Sequence, residues 1–408
     1  MRAFFILFFI CFLISCKPET KPVVSMQEDV TFLADDALKG RQTGTEGEQL
    51  AAEYIAKRFE ELGLEPKGDN QSYFQEFTFR PSSNPHEQAE FADSENDSTQ
   101  TGINVVGYLD HNAASTIVIG AHYDHLGLGG EGSLYREGEA IHNGADDNAS
   151  GVAVMLDLAR RLSENKKNNY LFIGFSGEEM GLLGSSYFVK NSTIDLEQIN
   201  YMINMDMVGR LNTERTVAVH GVGTSPVFKQ TLFASNTFDL NIAEHESGIG
   251  PSDHTSFYLA DIPVLHFFTG QHSDYHKPGD DADKLNYDGM QIISDYIYGV
   301  INELSNQGKL AFRKTKNESE VVPEFKVTLG VVPDYLFTGK GMRIDGVSED
   351  KPAIKAGLKK GDIVVKMGEY DVTDMMSYMK TLSKFEKGEK TIVTVKRGEQ
   401  PLEVEVEF

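Results

Sequence analysis

Four short apolar runs do most to limit what this chain can become: TIVIG at 116–120, YLFIGF at 170–175, INYMINMDM at 199–207 and IPVLHFF at 262–268. Each is shorter than a typical helix, rich in β-branched or aromatic residues and bounded by glycine or polar residues, so each reads as a buried strand. Between them, apolar residues recur at helical spacing. Leu50, Ala51, Tyr54, Ile55, Phe59 and Leu62 share one face of a helix over 48–62 that ends at Gly63. Val152, Met155, Leu158, Ala159 and Leu162 form a second stripe, and Ile293, Ile297, Val300, Ile301 and Leu304 a third. Strands alternating with helices imply an α/β domain with a mostly parallel central sheet. The run INVVGYL at 103–109 is expected to pair with its successor at 116–121, and residues 26–38 are expected to be helical.

The strands end on chemistry. The first delivers His122 and Asp124, the second leads into Ser176-Gly177-Glu178-Glu179, the third reaches Asp206, and the fourth leads through a polar loop to His276. Asp147 lies in the Gly-rich crossover between the first strand and its helix. Open α/β sheets place their sites at such strand ends. Asp124, Asp147, Glu178, Glu179 and Asp206 would put five like charges in one cleft. Unpaired, they would raise one another's pKa or resist burial. Two divalent cations would neutralise four of them, and His with carboxylate is a ligand set of zinc. Taken singly the same residues have plainer readings. Glu178-Glu179 suits a helix start, and Asp146 is read as a helix cap. His125 and His142 are placed near the mouth of the cleft. No HExxH is present, and no nucleophile-elbow pattern surrounds Ser150.

The segments AHYDHLG, GADDNASG, SGEEMGLLGS, NMDMVG and YHKPGDD, in that order, resemble the co-catalytic zinc aminopeptidase family over residues 26–306. That family includes bacterial leucyl aminopeptidases, glutamate carboxypeptidase II and glutaminyl cyclases. The resemblance implies a three-layer α/β/α zinc exopeptidase domain holding two zinc ions. It implies that His122 and Asp206 bind one ion, Glu179 and His276 the other, and that Asp147 bridges them. Glu178 would be the general base and Asp124 would orient His122. A cis peptide is implied at Asp147-Asn148. Asp253, His254 and Tyr275 are candidates for supporting or pocket-wall roles, with Tyr275 able to donate to an oxyanion. The implied reaction is hydrolysis of peptide bonds at chain ends by an aminopeptidase. The alternatives are a carboxypeptidase or dipeptidase with the same metals, or an inactive peptide-binding protein.

Residues 307–321 are charged and aperiodic, and the domain boundary is placed there. Residues 322–408 read as a small α+β unit. Within it, 325–408 resemble a PDZ domain of bacterial proteases, with Leu329-Gly330-Val331 at the carboxylate-loop position. That resemblance implies binding of a peptide C-terminus.

Residues 1–16, MRAFFILFFICFLISC, have the charge and apolar length of a signal segment and resemble the bacterial lipoprotein signal. The expectation is lipidation at Cys16, a polar tether over 17–25, and anchoring in the bacterial cell envelope. Past Cys16 there is no cysteine, which excludes disulfides and thiol catalysis in the body of the chain. The net charge of −24 argues against nucleic acid as a partner.

Overall fold

The computed structural model describes residues 25–81, 89–92, 98–130, 132–315, 326–334, 336–337, 339–348, 351–398 and 400–408. The signal segment, Cys16, most of the tether and residues 316–325 therefore lie outside the described residues. Among the described residues no helix is long and apolar enough to cross a membrane.

The chain opens with α1 (Met26–Leu33), α2 (Glu46–Glu61), β1 (Glu65–Pro66), β2 (Phe74–Arg80), β3 (Glu90–Phe91) and β4 (Gln100–Leu109). Then come β5 (Thr116–His122), α3 (Gly151–Leu162), β6 (Asn169–Phe175), α4 (Leu183–Lys190) and β7 (Ile199–Met205). The larger unit closes with β8 (Thr216–His220), α5 (Phe228–Ser235), β9 (Asn241–Glu244), α6 (His254–Tyr258), β10 (Val264–Phe268) and α7 (Tyr287–Leu304). The strands form one sheet in the order β3-β2-β4-β6-β5-β7-β10-β8-β9, with β1 beside β4. Its centre, β6-β5-β7-β10, is parallel, and β2-β4 and β10-β8 are antiparallel flanks.

Successive residues of a strand face opposite sides, so a strand covered on both sides must be apolar throughout. That is why the four runs show no alternation. Ile117 and Ile119 of β5, Phe172 of β6, Ile203 of β7 and Leu265 of β10 pack into the layer formed by α1, α2, α3, α5 and α7. Their neighbours Val118, Leu171, Ile173, Met202 and Val264 face Phe188 of α4 and Phe257 of α6. The result is three layers.

Two local expectations are corrected. β4 does not pair with β5; it pairs antiparallel with β6, which inserts between them. The link between β4 and β5 arches over the start of β6, where the Asn169 side chain accepts from the backbone N–H of His111 and Ala113. The helix expected over 26–38 stops at Leu33, because the Asp35 carboxylate accepts from Ala37 N at 2.8 Å and starts a separate 3-10 turn.

Of the stretch where the domain boundary was placed, residues 309–315 lie against the larger unit. Leu310 N donates to Asn200 Oδ1 at 2.7 Å, and Arg313 N donates to Thr224 O at 2.8 Å. The C-terminal unit comprises β11 (Val331–Pro333), β12 (Met342–Val347), α8 (Pro352–Lys355), β13 (Ile363–Met367), β14 (Tyr370–Asp371), α9 (Met375–Leu382), β15 (Lys390–Arg397) and β16 (Gln400–Glu407). Its own core includes Leu329, Ile344, Val364, Val393, Val395 and Val406. β11 is an edge strand.

The buried Arg41 fastens the crossover to the sheet. Its guanidinium donates to Leu33 O, Tyr123 O, Asn143 O and Gly144 O. Replacing it by Met should cost about 3 kcal/mol, since several buried carbonyls lose their donor together. Urea unfolding followed by circular dichroism reads this as a lower midpoint for Arg41→Met, and an unchanged midpoint would contradict it.

Candidate active site

The parallel strands bring their C-terminal ends together, and the polar residues at those ends converge. His122 closes β5. Its Nε2 lies 3.3 Å from Asp147 Oδ1 and 3.4 Å from Asp206 Oδ1. On the other side His276 Nε2 lies 3.2 Å from Asp147 Oδ2 and 3.3 Å from Glu179 Oε2. The two oxygens of Asp147 thus face two different His–carboxylate pairs. Ligand atoms about 2.05 Å from a tetrahedral ion stand about 3.3 Å apart, so these separations suit an ion at the centre of each group. His122, Asp147 and Asp206 form one group able to hold a metal, and His125, Asp147 and Glu179 another.

Local structure explains why these side chains point as they do. Asn148 Nδ2 donates to His122 O at 3.2 Å and Met205 O at 3.0 Å, which ties the ends of β5 and β7 to the crossover. The Asp147-Asn148 peptide is cis. Gly144, at φ +56°, passes so close that an added Cβ would stand 2.2 Å from Asp147 O. Asp280 Oδ2 accepts from the backbone N–H of both Asp146 and Asp147, at 2.9 and 3.0 Å, and its other oxygen accepts from Arg210 at 2.9 Å. Asp124 Oδ1 lies 3.5 Å from His122 Nδ1, while its Oδ2 accepts from Thr43 Oγ1 at 3.0 Å. Glu178 N donates to Asp124 Oδ1 at 3.2 Å, which seats the Glu178-Glu179 turn against the end of β5.

Four sequence expectations need correction or refinement. His125 is not at the mouth. It is buried, and its Nδ1 stands 2.7 Å from Glu179 Oε1. Asp146 is no helix cap, because its Oδ1 accepts from Gly209 N at 2.6 Å, and His272 Nε2 lies 3.2 Å from its Oδ2. Tyr275 stacks on the His276 ring at 3.8 Å and lines the cleft. Asp253 and His254 are fully buried, His254 behind the wall of the cleft against His266. The roles of Asp280, Arg41, His220 and His266 were not read from the sequence. The signal for Asp280 was present in YHKPGDD, but His220 and His266 stand alone in apolar strands.

The electrostatics are those of a cavity crowded with buried acidic groups. Burial pushes the Glu178 carboxyl well above its usual range, and Asp206, Glu179 and Asp253 push it further against the pull of His122. Burial alone would lower His122, yet Glu178 and Asp206 hold it well above its ordinary value. Burial works the same way on His276, and Glu179 and Asp147 raise it to about 9. Asp147 would rise by burial but is held well below the carboxylate range by His122 and His276. Burial raises Asp253 to about 7 and lowers His254 to about 3.

The cleft continues from Glu178, Asp206 and His276 to Met207, Phe268, Gln271 and Tyr275, enclosing about 490 Å³ open to solvent. Leu336, from the C-terminal unit, packs with Met207, Phe268 and Tyr275 at its side.

Residues 104–301 match the family model of Peptidase family M28, and these residues carry every predicted ligand and Glu178. The domain belongs to peptidase family M28. Residues 310–408 match the PDZ domain, and the chain carries one after its M28 domain. Aminopeptidase YwaD of Bacillus subtilis is 27% identical over 226 residues, covering 52% of this chain and 46% of that protein. A probable leucine aminopeptidase of Arthroderma otae is 26% identical over 217 residues, covering 50% of this chain and 57% of the relative. The chain thus spans about half the length of these curated relatives. The solved zinc aminopeptidase BSAP from Bacillus subtilis shares the fold, with TM-score 0.53 and 16% identity over 72% of this chain and 96% of that one. The M28 domain therefore has the three-layer fold of a zinc aminopeptidase.

His276, at about 9, lies above the free imidazole value of 6.5, so its protonation stabilises the metal-free fold fully below pH 6.5 and progressively less as pH rises to 9. A divalent ion has to displace that proton. Chelator-treated protein should therefore lose thermal stability between these values while zinc affinity rises across the same window. Titration calorimetry giving a pH-independent affinity would contradict this.

Proposed function

We propose that this M28 domain is a zinc-dependent aminopeptidase with two ions, and that Asp147 is shared between them. The observation that carries the reading is the placement of Asp147 Oδ1 beside His122 and Asp206, and of Oδ2 beside His276 and Glu179. His276 suits a ligand better than His125. Its Nδ1 is held by Gly132 O at 2.8 Å, which aims Nε2 at the two carboxylates. His125 instead holds Glu179 Oε1 from the side. Names of similar proteins, aminopeptidase YwaD and the zinc aminopeptidase BSAP, support the same reaction and metal.

Zinc bound there would polarise the scissile carbonyl and acidify water near neutral pH. The chain's own residues do the rest. Glu178, a carboxyl held high by burial, accepts the proton of the attacking water and returns it to the leaving amine. Asp124 fixes the His122 ring from the side away from Asp147. Tyr275 stacks on His276 and lines the cleft, which supports a role as donor to the developing oxyanion. The edge strand β11 offers the C-terminal unit a place to add an extended peptide end.

Replacing Glu178 by Gln should lower kcat by ~10²–10⁴-fold on an aminoacyl-coumarin substrate with metal content retained. Wild-type turnover in that variant would overturn the base assignment. The proposed lipid anchor at Cys16 rests on residues 1–16 alone. Cys16→Ser should move the protein from the membrane fraction to the soluble fraction of its expressing cells, and unchanged membrane retention would count against it.

A further inference from the structure

Beyond the proposed metal ligands the cleft has a polar wall that the peptidase chemistry does not use. His220 ends β8 and stands opposite His266 of β10 in antiparallel register, their ring centroids 5.4 Å apart. Both line the cleft. His245 stacks on His220 at 4.3 Å and His254 on His266 at 4.4 Å, so each ring is backed by another imidazole. Asn204 Nδ2 donates to His266 Nδ1 at 3.1 Å, which leaves the neutral ring its proton on Nε2. Next to this donor wall, Gln271 also lines the cleft, and its Oε1 is buried with no hydrogen-bond partner. A buried acceptor without a partner in a side chain of the cleft wall is one that a donor from the substrate can satisfy.

The choice among substrates comes from matching donors to acceptors. A leucine side chain would cover Gln271 Oε1 and the imidazole N–H and satisfy neither, a desolvation cost with no return. A carboxylate could accept from an imidazole but has no proton for Gln271 Oε1. It would also enter a cavity that already gathers Asp147, Glu178, Glu179 and Asp206. An ammonium could donate but not accept. A carboxamide does both, its oxygen facing the imidazole and its NH2 facing Gln271, while Phe268 covers its methylenes.

We propose that the wall built by His220, His266 and Gln271 reads the first side chain of the substrate and selects a carboxamide, glutamine or asparagine, at the amino terminus. This rests on the aminopeptidase reading above.

The test is a panel of aminoacyl-coumarin substrates bearing Gln, Asn, Glu, Leu and Lys, hydrolysed by the zinc-loaded full chain. The expected kcat/KM for Gln or Asn exceeds that for Leu and Glu by at least about tenfold, the scale on which a side chain's hydrogen bonds discriminate. Gln271→Leu and His266→Phe should each shift the Gln-to-Leu ratio toward Leu by about tenfold or more. That ratio is internal to each variant, so partial misfolding cancels. Preference of the wild type for Leu, or a ratio that Gln271→Leu leaves unmoved, overturns the proposal. Release of coumarin from none of the five substrates overturns the aminopeptidase reading, and pyroglutamyl-coumarin in place of free coumarin overturns hydrolysis while upholding the carboxamide pocket.

Discussion

A buried carboxylate needs a partner for each of its oxygens, and Asp147 finds a different imidazole for each. Everything around the cavity serves to hold that one group between His122 and His276. Asp280 accepts from its backbone N–H, Asn148 ties its turn to the ends of two strands, and Arg41 draws the flanking carbonyls of Asn143 and Gly144 inward. These supports lie far apart in sequence, and each keeps a buried backbone group satisfied at a point where the chain could not form regular structure. The sheet provides the other half of the constraint. Parallel strands end on the same edge, so His122, Glu179 and Asp206 reach one cavity without any long-range loop closure of their own.

The protonation pattern arises from the same crowding. With Glu178, Glu179, Asp206 and Asp147 gathered in one cleft, His122 and His276 hold protons that free imidazoles would lose near neutrality. Divalent cations would take the place of those protons. The acid that remains, Glu178, is a carboxyl pushed well above its ordinary value by burial and by its neighbours' charge, which is the property a proton-transferring group needs.

Much of this was legible in the chain because burial on both faces leaves continuous apolar runs, and because the chemistry sits directly where those runs stop. Ile117 to Ile119 and Leu171 to Ile173 announced their strands, and His122 and Asp206 their ends. The order of the strands was not legible. Nothing in residues 110–115 says that they arch over Asn169 instead of turning a hairpin. His125 was misplaced because a second His after a strand end has no periodicity to show whether it turns inward. His220 and His266 were invisible as a pair, since only the antiparallel register of β8 and β10 brings them opposite each other. Asp146 passed for a cap because an Asp before a helix usually is one; its real partner, Gly209 N, lies in another loop.

The central claim is that Asp147 is shared by two metal ions. Its most direct test is the metal content of purified wild-type protein and of Asp147→Ala, measured by inductively coupled plasma mass spectrometry alongside circular dichroism. The account predicts two zinc ions per chain in the wild type and loss of both from a still-folded Asp147→Ala. A folded wild type that takes up no zinc, or a variant that keeps both ions, would contradict it.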